Sequence, residues 1–428
     1  MNSVRTILII AFLTVVFSIK GFSQASPVPD RVYSEEIRTV LLYKEGWNLS
    51  NPVIRLNSDE KLVLGFDLLG DDQRTYYYSY IHCDRNWNES GVFISDYVEG
   101  LTEDVIEEYK ASFNTKQHYF HYSLTFPGER MKPRLSGNYI IKVYEQGKPD
   151  EPVITKRFMI TDESVSINAT VHRPDLLEAY NTGQQVDFTV NFSGLSVKDP
   201  SRDISSVVLQ NGNWLTARMD LKPDIIGNNE IRYGALSGKN VFKGGNEFRY
   251  FDIKNIRYKT EYIRDIQFSD NLYQVFLTPS EDREFKPYFS DRDLNGKYYV
   301  AVANGRDMDT DADYLMVYFT LPSAYKADGG DIYVSGALAN WELNETNRMI
   351  YNRDKGQYQL SMLLKQGWYN YEYIFLGKGQ PYMGPTRFEG SHFETENEYL
   401  ILVYYRDPRD RYDRLAGSAV ARSVHAGN

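Results

Sequence analysis

The sequence predicts an all-β protein made of tandem immunoglobulin-like or early-set β-sandwich units. Aromatic residues make up 14% of the 428 residues, and 35 of them are Tyr and 22 are Phe. Such side chains favour the pleated, half-buried surface of a sheet. Short runs that alternate between apolar and polar residues recur between turn signals, whereas long stretches with helical periodicity are scarce. We therefore expect strands to dominate, in more than one domain because the chain exceeds a typical domain length.

The first unit is predicted over residues 24–162. Its strands include "KLVLGFDLL" from Lys61 and "QRTYYYSYIHC" from Gln73, and two more lie on either side of Gly147. The exception is "EDVIEEYKASF", Glu103 to Phe113, whose pattern predicts a short helix.

A second unit is predicted over residues 163–292, and a third over residues 293–428. Asn211-Gly212 and Asn295-Gly296 are hairpin turn signals within this part of the chain. The third unit contains the strand-like runs "DYLMVYFTLP" and "EYLILVYYR". From about Asp410 onward we expect a loosely ordered tail.

Residues 1–23 are predicted to be a signal peptide. Arg5 supplies its positive region and Ile7 to Phe17 its apolar region, and the small residues Gly21 and Ser23 suit cleavage after Ser23. The apolar run is too short to cross about 30 Å of hydrocarbon. No later run is apolar enough, so we expect an exported mature chain without a transmembrane segment.

Charge and cysteine content argue against two further features. The formal net charge of -10 disfavours a nucleic-acid partner, which would require a basic surface. Cys83 is the single cysteine, so an intramolecular disulfide is excluded.

No catalytic or cofactor motif is recognisable. The sequence lacks a G-x-S-x-G elbow, a Walker loop, a dinucleotide fingerprint and an H-E-x-x-H motif. His82 and Cys83 are neighbours, but adjacent side chains on a strand point to opposite faces. We interpret them as a buried structural pair, and we predict that the chain is not an enzyme and uses no cofactor.

Three stretches of the sequence resemble parts of metal sites. His118 and His121 would align on a helix, but the aromatic residues between them favour a strand, which separates them. Asp291–Gly296 reads "DRDLNG" like the start of a calcium loop, but Val302 stands where the bidentate Glu belongs. The aspartates of 307–313 lack the glycine of the sharp turn. We predict solvated turns and no bound metal.

The third unit carries two candidate glycan contacts. "YVSGALANW", "GQYQLSMLL" and "GWYNYEYIF" resemble the early-set sandwich of glycogen-binding modules, which stack sugars on two Trp side chains. Trp341 matches the first, whereas Pro381 stands at the place of the second with Tyr382 beside it. Stacking on one aromatic adds only about 1 kcal/mol, so Trp341 can equally be a packing residue of the scaffold.

A more specific resemblance covers nearly the whole mature chain. "LGFDLLGDD", "YYYSYIHCDRNW" and "SDYVEGL", followed by "YSLTFPGERMKPRLSGNYIIKVYE", "GGNEFRYFD" and "DLNGKYYV", together resemble the plug protein family of the type IX secretion system of Bacteroidetes-type bacteria.

The resemblance implies a periplasmic protein, attached to the inner side of the outer membrane through protein contacts. It would bind the periplasmic mouth of the giant outer-membrane translocon barrel and close it, without an active site. The many tyrosines would suit a reversible, wet interface. Two alternatives stay open at this point: a periplasmic glycan-binding protein that uses the third unit, and an enzyme, such as a carbohydrate hydrolase accessory.

Overall fold

A computed structural model describes residues 29–234, 238–380, 382, 384 and 386–423. Strands account for 48% and helices for 6%, which confirms the expected all-β class. Within the described part, no helix is long and apolar enough to span a membrane. The predicted signal peptide lies outside the described residues.

The first unit is a sandwich of two sheets. Its elements are β1 (Arg31–Val32), β2 (Ile37–Lys44), β3 (Val53–Arg55), β4 (Leu62–Leu69), β5 (Tyr76–Cys83), helix α1 (Ile94–Tyr97), β6 (Val98–Gly100), β7 (Glu103–Val105), β8 (Glu108–Ala111), β9 (Tyr119–Phe126), β10 (Met131–Pro133), β11 (Gly137–Glu145) and β12 (Pro152–Thr161). One sheet has the order β1-β12-β11-β5-β7, with β3 parallel to β12, and the other has the order β2-β4-β9-β8. Strands β6 and β10 form a separate pair.

Strand β4 shows how the alternation in the sequence is used. Leu62, Leu64, Phe66 and Leu68 are buried in the core between the two sheets. Asp67 points to the opposite face, yet it is buried as well, because residues of the third unit contact it there. The acidic residue in an otherwise apolar strand therefore marks a contact between units.

The segment 103–113 is not the short helix that its sequence predicts. It forms β7 and β8, and β8 pairs with β9 at the edge of its sheet. Tyr109 lies opposite Tyr122, with ring centroids 5.6 Å apart. Cross-strand aromatic pairs contribute about 0.2–1 kcal/mol each, and this tertiary contact outweighs the weak helical preference of the segment.

The second unit begins with a five-stranded sheet of order β13-β14-β18-β17, with β19 also on β14. The elements of this part are β13 (Ser166–His172), β14 (Gly183–Asn191), α2 (Pro200–Asp203), β15 (Ile204–Gln210), β16 (Asn213–Arg218), β17 (Ile225–Ile226), β18 (Glu230–Tyr233) and β19 (Val241–Lys243), with a 3-10 turn at Leu177–Ala179.

The third unit packs a sheet of order β20-β28-β23, with β25 also on β28, against one of order β21-β22-β24-β27-β26. Its elements are β20 (Arg249–Asp252), β21 (Ile263–Ser269), β22 (Leu272–Leu277), β23 (Tyr298–Val300), α3 (Met308–Asp311), β24 (Tyr314–Pro322), β25 (Gly330–Ser335), β26 (Ile350–Asn352), β27 (Gln357–Lys365), β28 (Gly367–Gly377) and α4 (Thr386–Glu389), with a 3-10 turn at Ala337–Ala339.

The end of the chain returns to the second unit. Strands β29 (Glu398–Tyr405) and β30 (Arg414–Arg422) join β15 and β16 in a sheet of order β16-β15-β29-β30, which closes the core over β14. The loose tail predicted from Asp410 is thus replaced at 414–422 by a paired strand. Its small residues allow close packing: Gly417 lies against Val165, and an added side chain there would collide with it.

The strand pairing differs from the predicted division of the chain at two places. Strands β20 to β22 lie in the third unit although they precede residue 293, and β29 and β30 lie in the second. We propose that the second unit is discontinuous, made of residues 163–243 and 398–423. The other unit boundaries stay predictions.

Candidate functional site at the junction of the units

His82 and Cys83 lie on opposite faces of β5. His82 packs inside the first unit, with its ring centroid 4.9 Å from that of Tyr139 and its Nδ1 2.8 Å from Ser90 Oγ. Cys83 belongs to an apolar cluster shared by the first and second units. Burial raises the pKa of the Cys83 thiol to about 12 and lowers the pKa of His82 to about 4. A protonated thiol facing away from the imidazole is not a nucleophile with its base.

The two other histidines singled out by the sequence have separate partners. Strand β9 begins at Tyr119, and His118 precedes it, with Nδ1 2.7 Å from Asp71 Oδ1. His121 Nδ1 lies 2.7 Å from Asp67 Oδ1 instead. The two imidazoles therefore do not share a ligand position.

The acidic loops are held by backbone hydrogen bonds. Asp293 accepts bonds from the backbone N–H groups of Phe248 at 2.5 Å and Asn295 at 2.8 Å. Asp311 accepts one from Arg306 at 2.7 Å. Among the described residues, no group of three or more His, Cys, Asp or Glu side chains is placed to hold a metal ion.

Trp341 packs as part of the third unit. Its ring lies edge-on to Phe248 at 6.0 Å between centroids, and it covers Gly296, where any side chain would collide with it. Trp341 and Tyr382 do border one cleft, but its volume is about 30 Å³, the share of a single water molecule. Pro381 lies outside the described residues. The glycan contact at Trp341 and Tyr382 stays a prediction, and the packing favours the scaffold role.

A buried ion pair joins the first and third units. Lys365 Nζ, on β27, donates to Asp67 Oδ2, on β4, at 2.7 Å, and the two residues are 1% and 0% exposed. Tyr314 OH donates to the same oxygen at 2.6 Å, and His121 lies at the other one. Burial alone would raise the pKa of Asp67, but Lys365 and then His121 outweigh it, so the pKa lies below its ordinary value.

The polar atoms around this ion pair are satisfied by both units. Lys365 also donates to the backbone oxygen of Asp309 at 2.8 Å, and its ammonium lies 4.1 Å from the ring centroid of Tyr119. Thr39 Oγ1 lies 2.6 Å from the Tyr314 hydroxyl. A buried charge pair of this kind needs such additional hydrogen bonds to offset its desolvation. The network therefore specifies one arrangement of the two units.

An apolar cluster fuses the first and second units. Met159 of β12 and Cys83 of β5 pack there with Leu209 of β15 and Leu402 of β29. Tyr404 OH, from β29, donates to Asn138 Oδ1 at 2.9 Å across the same boundary.

Arg157 lies between two indole rings at the edge of this cluster. Its guanidinium carbon is 5.0 Å from the ring centroid of Trp87 and 4.7 Å from that of Trp214, which belong to the first and second units. Arg157 also forms an ion pair with Asp30, with 3.1 Å between nitrogen and oxygen. Cation–π contacts that exclude water are worth about 2 kcal/mol, so this residue adds to the fusion of the two units.

A cavity of about 340 Å³ lies where the three units meet. Its wall includes Leu42 from β2, Leu215 from β16, Trp341 from the third unit, and the side chains of Lys156 and Lys297. Its wall therefore draws on all three units.

Sequence reasoning missed the junction residues. The signal was present for Asp67, a charged residue inside the otherwise apolar strand β4, because buried charges occur mainly with a partner. Lys365 ends the partly polar strand β27, so its position gives no such signal. Nothing in the sequence pairs these two residues, which lie 298 positions apart.

These observations define a class of protein in which three β-sandwich units are fused through buried polar and apolar contacts. Residues 37–162 match the first domain of the type 9 secretion system plug protein, which confirms the resemblance to that family over this part of the chain. The match covers β2 to β12, the unit that supplies Asp67, Arg157 and Cys83 to the junction.

The comparison with solved structures extends the likeness to the whole described chain. A hypothetical protein from Parabacteroides merdae ATCC 43184, known from a crystal structure, is 32% identical, with a TM-score of 0.89 over 93% of this chain and 100% of that one. An adhesin from Mobiluncus mulieris is 6% identical with a TM-score of 0.17, over 48% of this chain and 95% of that one. This likeness is too low to indicate a shared fold. No curated protein matches the chain.

Proposed function

We propose that this chain is the periplasmic plug subunit of the type 9 secretion system, which binds the periplasmic opening of the outer-membrane translocon barrel and closes it. The observation that carries the proposal is the family match over residues 37–162. The full-length likeness to the Parabacteroides merdae protein supports extending it to all three units.

The junction supports this role physically. A stopper has to keep its shape against the opening that it fills, so its parts must not move independently. Here the Asp67–Lys365 pair ties the first unit to the third, and the cluster around Leu402 ties the first unit to the second. Because domains joined by small, wet interfaces move by default, these dry contacts favour a single rigid body.

The proposed location is the periplasm, on the inner side of the outer membrane. The predicted signal peptide at residues 1–23 supports export, and the family match supports proximity to the secretion apparatus. We propose binding rather than catalysis as the mode of action, since Cys83 is buried and protonated and His82 faces away from it.

Permeability of the outer membrane tests the proposal. A strain lacking this chain should become sensitive to vancomycin, which is too large for ordinary porins, whereas a strain that also lacks the translocon barrel should regain resistance. Complementation with the full chain should restore resistance, and the same chain without residues 1–23 should not. Equal sensitivity of the single and double deletions would mean that the leak bypasses the translocon and that the plug assignment fails.

Direct association is the second readout. The interface with the barrel should bury on the order of 1,200 Å² or more, as stable complexes do. The chain should therefore co-purify with the barrel protein in detergent. Loss of the complex under mild purification, together with unchanged permeability in the deletion strain, would contradict the proposed partner.

A further inference from the structure

We propose that protons control the contact between the second and third units, because they bind a cluster of buried carboxyl groups at this boundary and hold the two units together more tightly in mildly acidic than in alkaline solution. The carboxyl cluster consists of Glu247, Asp293 and Glu372. It is distinct from the Asp67–Lys365 pair, which joins the first unit to the third. This control by protons does not require that the chain acts as a plug.

Glu372 is a buried carboxyl group without a partner at contact distance. It lies on β28 with 5% exposure and borders the cleft of about 30 Å³, whose wall also contains Asn213 and Lys243 of the second unit. Among the described residues, none donates a hydrogen bond to its carboxyl or forms an ion pair with it, Lys243 included. An ionised carboxylate here would lose its hydration without compensation, so a bound proton stabilises it.

Glu247 uses one of its two carboxyl oxygens and is 1% exposed. Its Oε1 accepts a hydrogen bond from the Tyr288 hydroxyl at 2.6 Å and one from the backbone N–H of Glu396, which precedes β29 of the second unit, at 3.0 Å. Its Oε2 is buried with no partner in the described part of the chain. A proton on Oε2 therefore removes the buried charge and leaves both bonds between the units in place.

The arginines nearest to the cluster are bound to another carboxylate. Arg249 Nε lies 2.9 Å from Glu389 Oε1, and Arg283 Nε lies 2.8 Å from Glu389 Oε2. Although burial opposes them, the two arginines hold the pKa of Glu389 at about 2, so this group stays ionised.

Like charges outweigh Arg283 at the carboxyl cluster. Burial is the main cause that raises the pKa of Glu372, and repulsion by Glu389 then exceeds attraction by Arg283. Burial also raises the pKa of Glu247, where repulsion by Glu396 exceeds the attraction. Burial raises the pKa of Asp293 to about 7, against two hydrogen bonds from backbone N–H groups. The other titratable groups around the cluster are Tyr288, Tyr382 and His392.

The raised pKa values fix the sign of the effect. In the unfolded chain the carboxyl groups lose their protons near pH 4, whereas the folded chain keeps them to higher pH. Stability therefore rises as the pH falls. This contribution is fully present below the unfolded pKa and is lost as the pH rises through the folded pKa, which for Asp293 is about 7.

Glu372→Gln tests the proposal, because the amide has the shape of a protonated carboxyl and no charge. Urea unfolding between pH 5 and pH 8 is the measurement, and the exposed Glu151→Gln is the control. We expect Glu372→Gln to be more stable than the wild type at pH 8 and similar at pH 5. The ratio of their folding constants should change by up to about tenfold for each pH unit. A variant less stable than the wild type, or a difference that does not vary with pH, would overturn the proposal.

Asp67→Asn is the matched comparison at the other boundary. The pKa of Asp67 lies below its ordinary value, since Lys365 outweighs the effect of burial. This variant should lose stability by the same factor at pH 5 and pH 8. A gain in stability of Asp67→Asn at pH 8 would contradict the assignment of opposite charge states to the two boundaries.

Hydrogen exchange shows where the protons act. After correction for the intrinsic effect of pH on exchange, the amides of β28 and of residues 390–397 should be better protected at pH 6 than at pH 8, whereas those of β4 in the first unit should not change. Glu372→Gln should reduce the difference between the two pH values. Equal protection of β28 at both pH values in the wild type would overturn the proposal.

Discussion

At the residue scale, the tyrosines account for much of how this chain holds together. Ten of the twelve largest fully buried side chains in the described part are tyrosines. Their rings fill the cores, and several of their hydroxyl groups find backbone or side-chain acceptors, as Tyr139 does at Leu135 and Tyr404 at Asn138. The tyrosine surplus alone would suit a wet interface, but many of these residues build the cores and join the units.

The ion pair at the junction predicts a large effect of a single substitution. Lys365→Met should destabilise the fold by about 3–5 kcal/mol, because it leaves the buried Asp67 carboxylate without its counter-charge. Urea unfolding measures the change, and the exposed Lys355→Met is the matched control, expected within about 0.5 kcal/mol of the wild type. The double variant Asp67→Leu/Lys365→Met should recover part of the loss. A single Lys365→Met variant as stable as the control would mean that the pair contributes nothing.

The thiol of Cys83 predicts a pH-dependent reactivity. Its pKa is raised to about 12 by burial, so the reactive thiolate forms only as the pH rises toward that value. At pH 8 about one thiol in 10⁴ is ionised, and Ellman's reagent should label the native chain far more slowly than the chain unfolded in urea. An exposed thiol introduced by Ala111→Cys is the control. Rapid labelling of native Cys83 at pH 8 would show that it is neither buried nor protonated.

At the element scale, the strands themselves are predictable from the local sequence, whereas the pairing of strands that are distant in the sequence is not. The short apolar runs of β4 and β24 identify them as strands from local pattern alone. The pairing of β15 with β29 joins residues about 200 positions apart, and no local signal specifies it. Segment 103–113 was misassigned because an edge strand is stabilised by its neighbour rather than by its own propensity.

The candidate site shows the same division. Trp341 was identified from a motif, but its packing over Gly296 follows from the turn before β23 meeting the 3-10 turn at 337–339. Asp67 is recognisable as a charge within an apolar strand, whereas its contact with Lys365 depends on how the first and third units meet. Tertiary contacts of this kind are outside the reach of a local pattern.

Alanine substitutions at two glycines with nearly the same φ can distinguish packing against Trp341 from backbone strain. Gly296 has φ of 79° and lies under the Trp341 ring, whereas Gly46 has φ of 80° and open space around it. Gly46→Ala should cost about 1 kcal/mol from the left-handed conformation alone. Gly296→Ala should cost more, because the added methyl also displaces the rings of Trp341 and Phe248, and thermal unfolding measures both losses. Equal losses would show that Trp341 does not pack on this turn.

At the scale of the whole molecule, the junction predicts how the three units unfold. Multi-domain chains generally lose their domains in separate steps, but a shared dry interface couples them. The Asp67–Lys365 pair and the cluster around Leu402 make the first unit a partner of both others, and the returning strands β29 and β30 tie the chain end to the second unit. The stability of each unit therefore depends on contacts with the other units.

We expect one cooperative transition in scanning calorimetry, with equal calorimetric and van't Hoff enthalpies. The reason is that unfolding the first unit alone would expose the Lys365 ammonium and the apolar side of β29, which costs more than unfolding the units together. Lys365→Met should weaken this coupling and separate an early transition of the third unit, while Lys355→Met should leave the single transition intact. A wild-type chain that melts in two or three independent steps would show that the units move separately. It would also remove the physical support for a rigid stopper, because parts that unfold independently at an opening could not keep it closed.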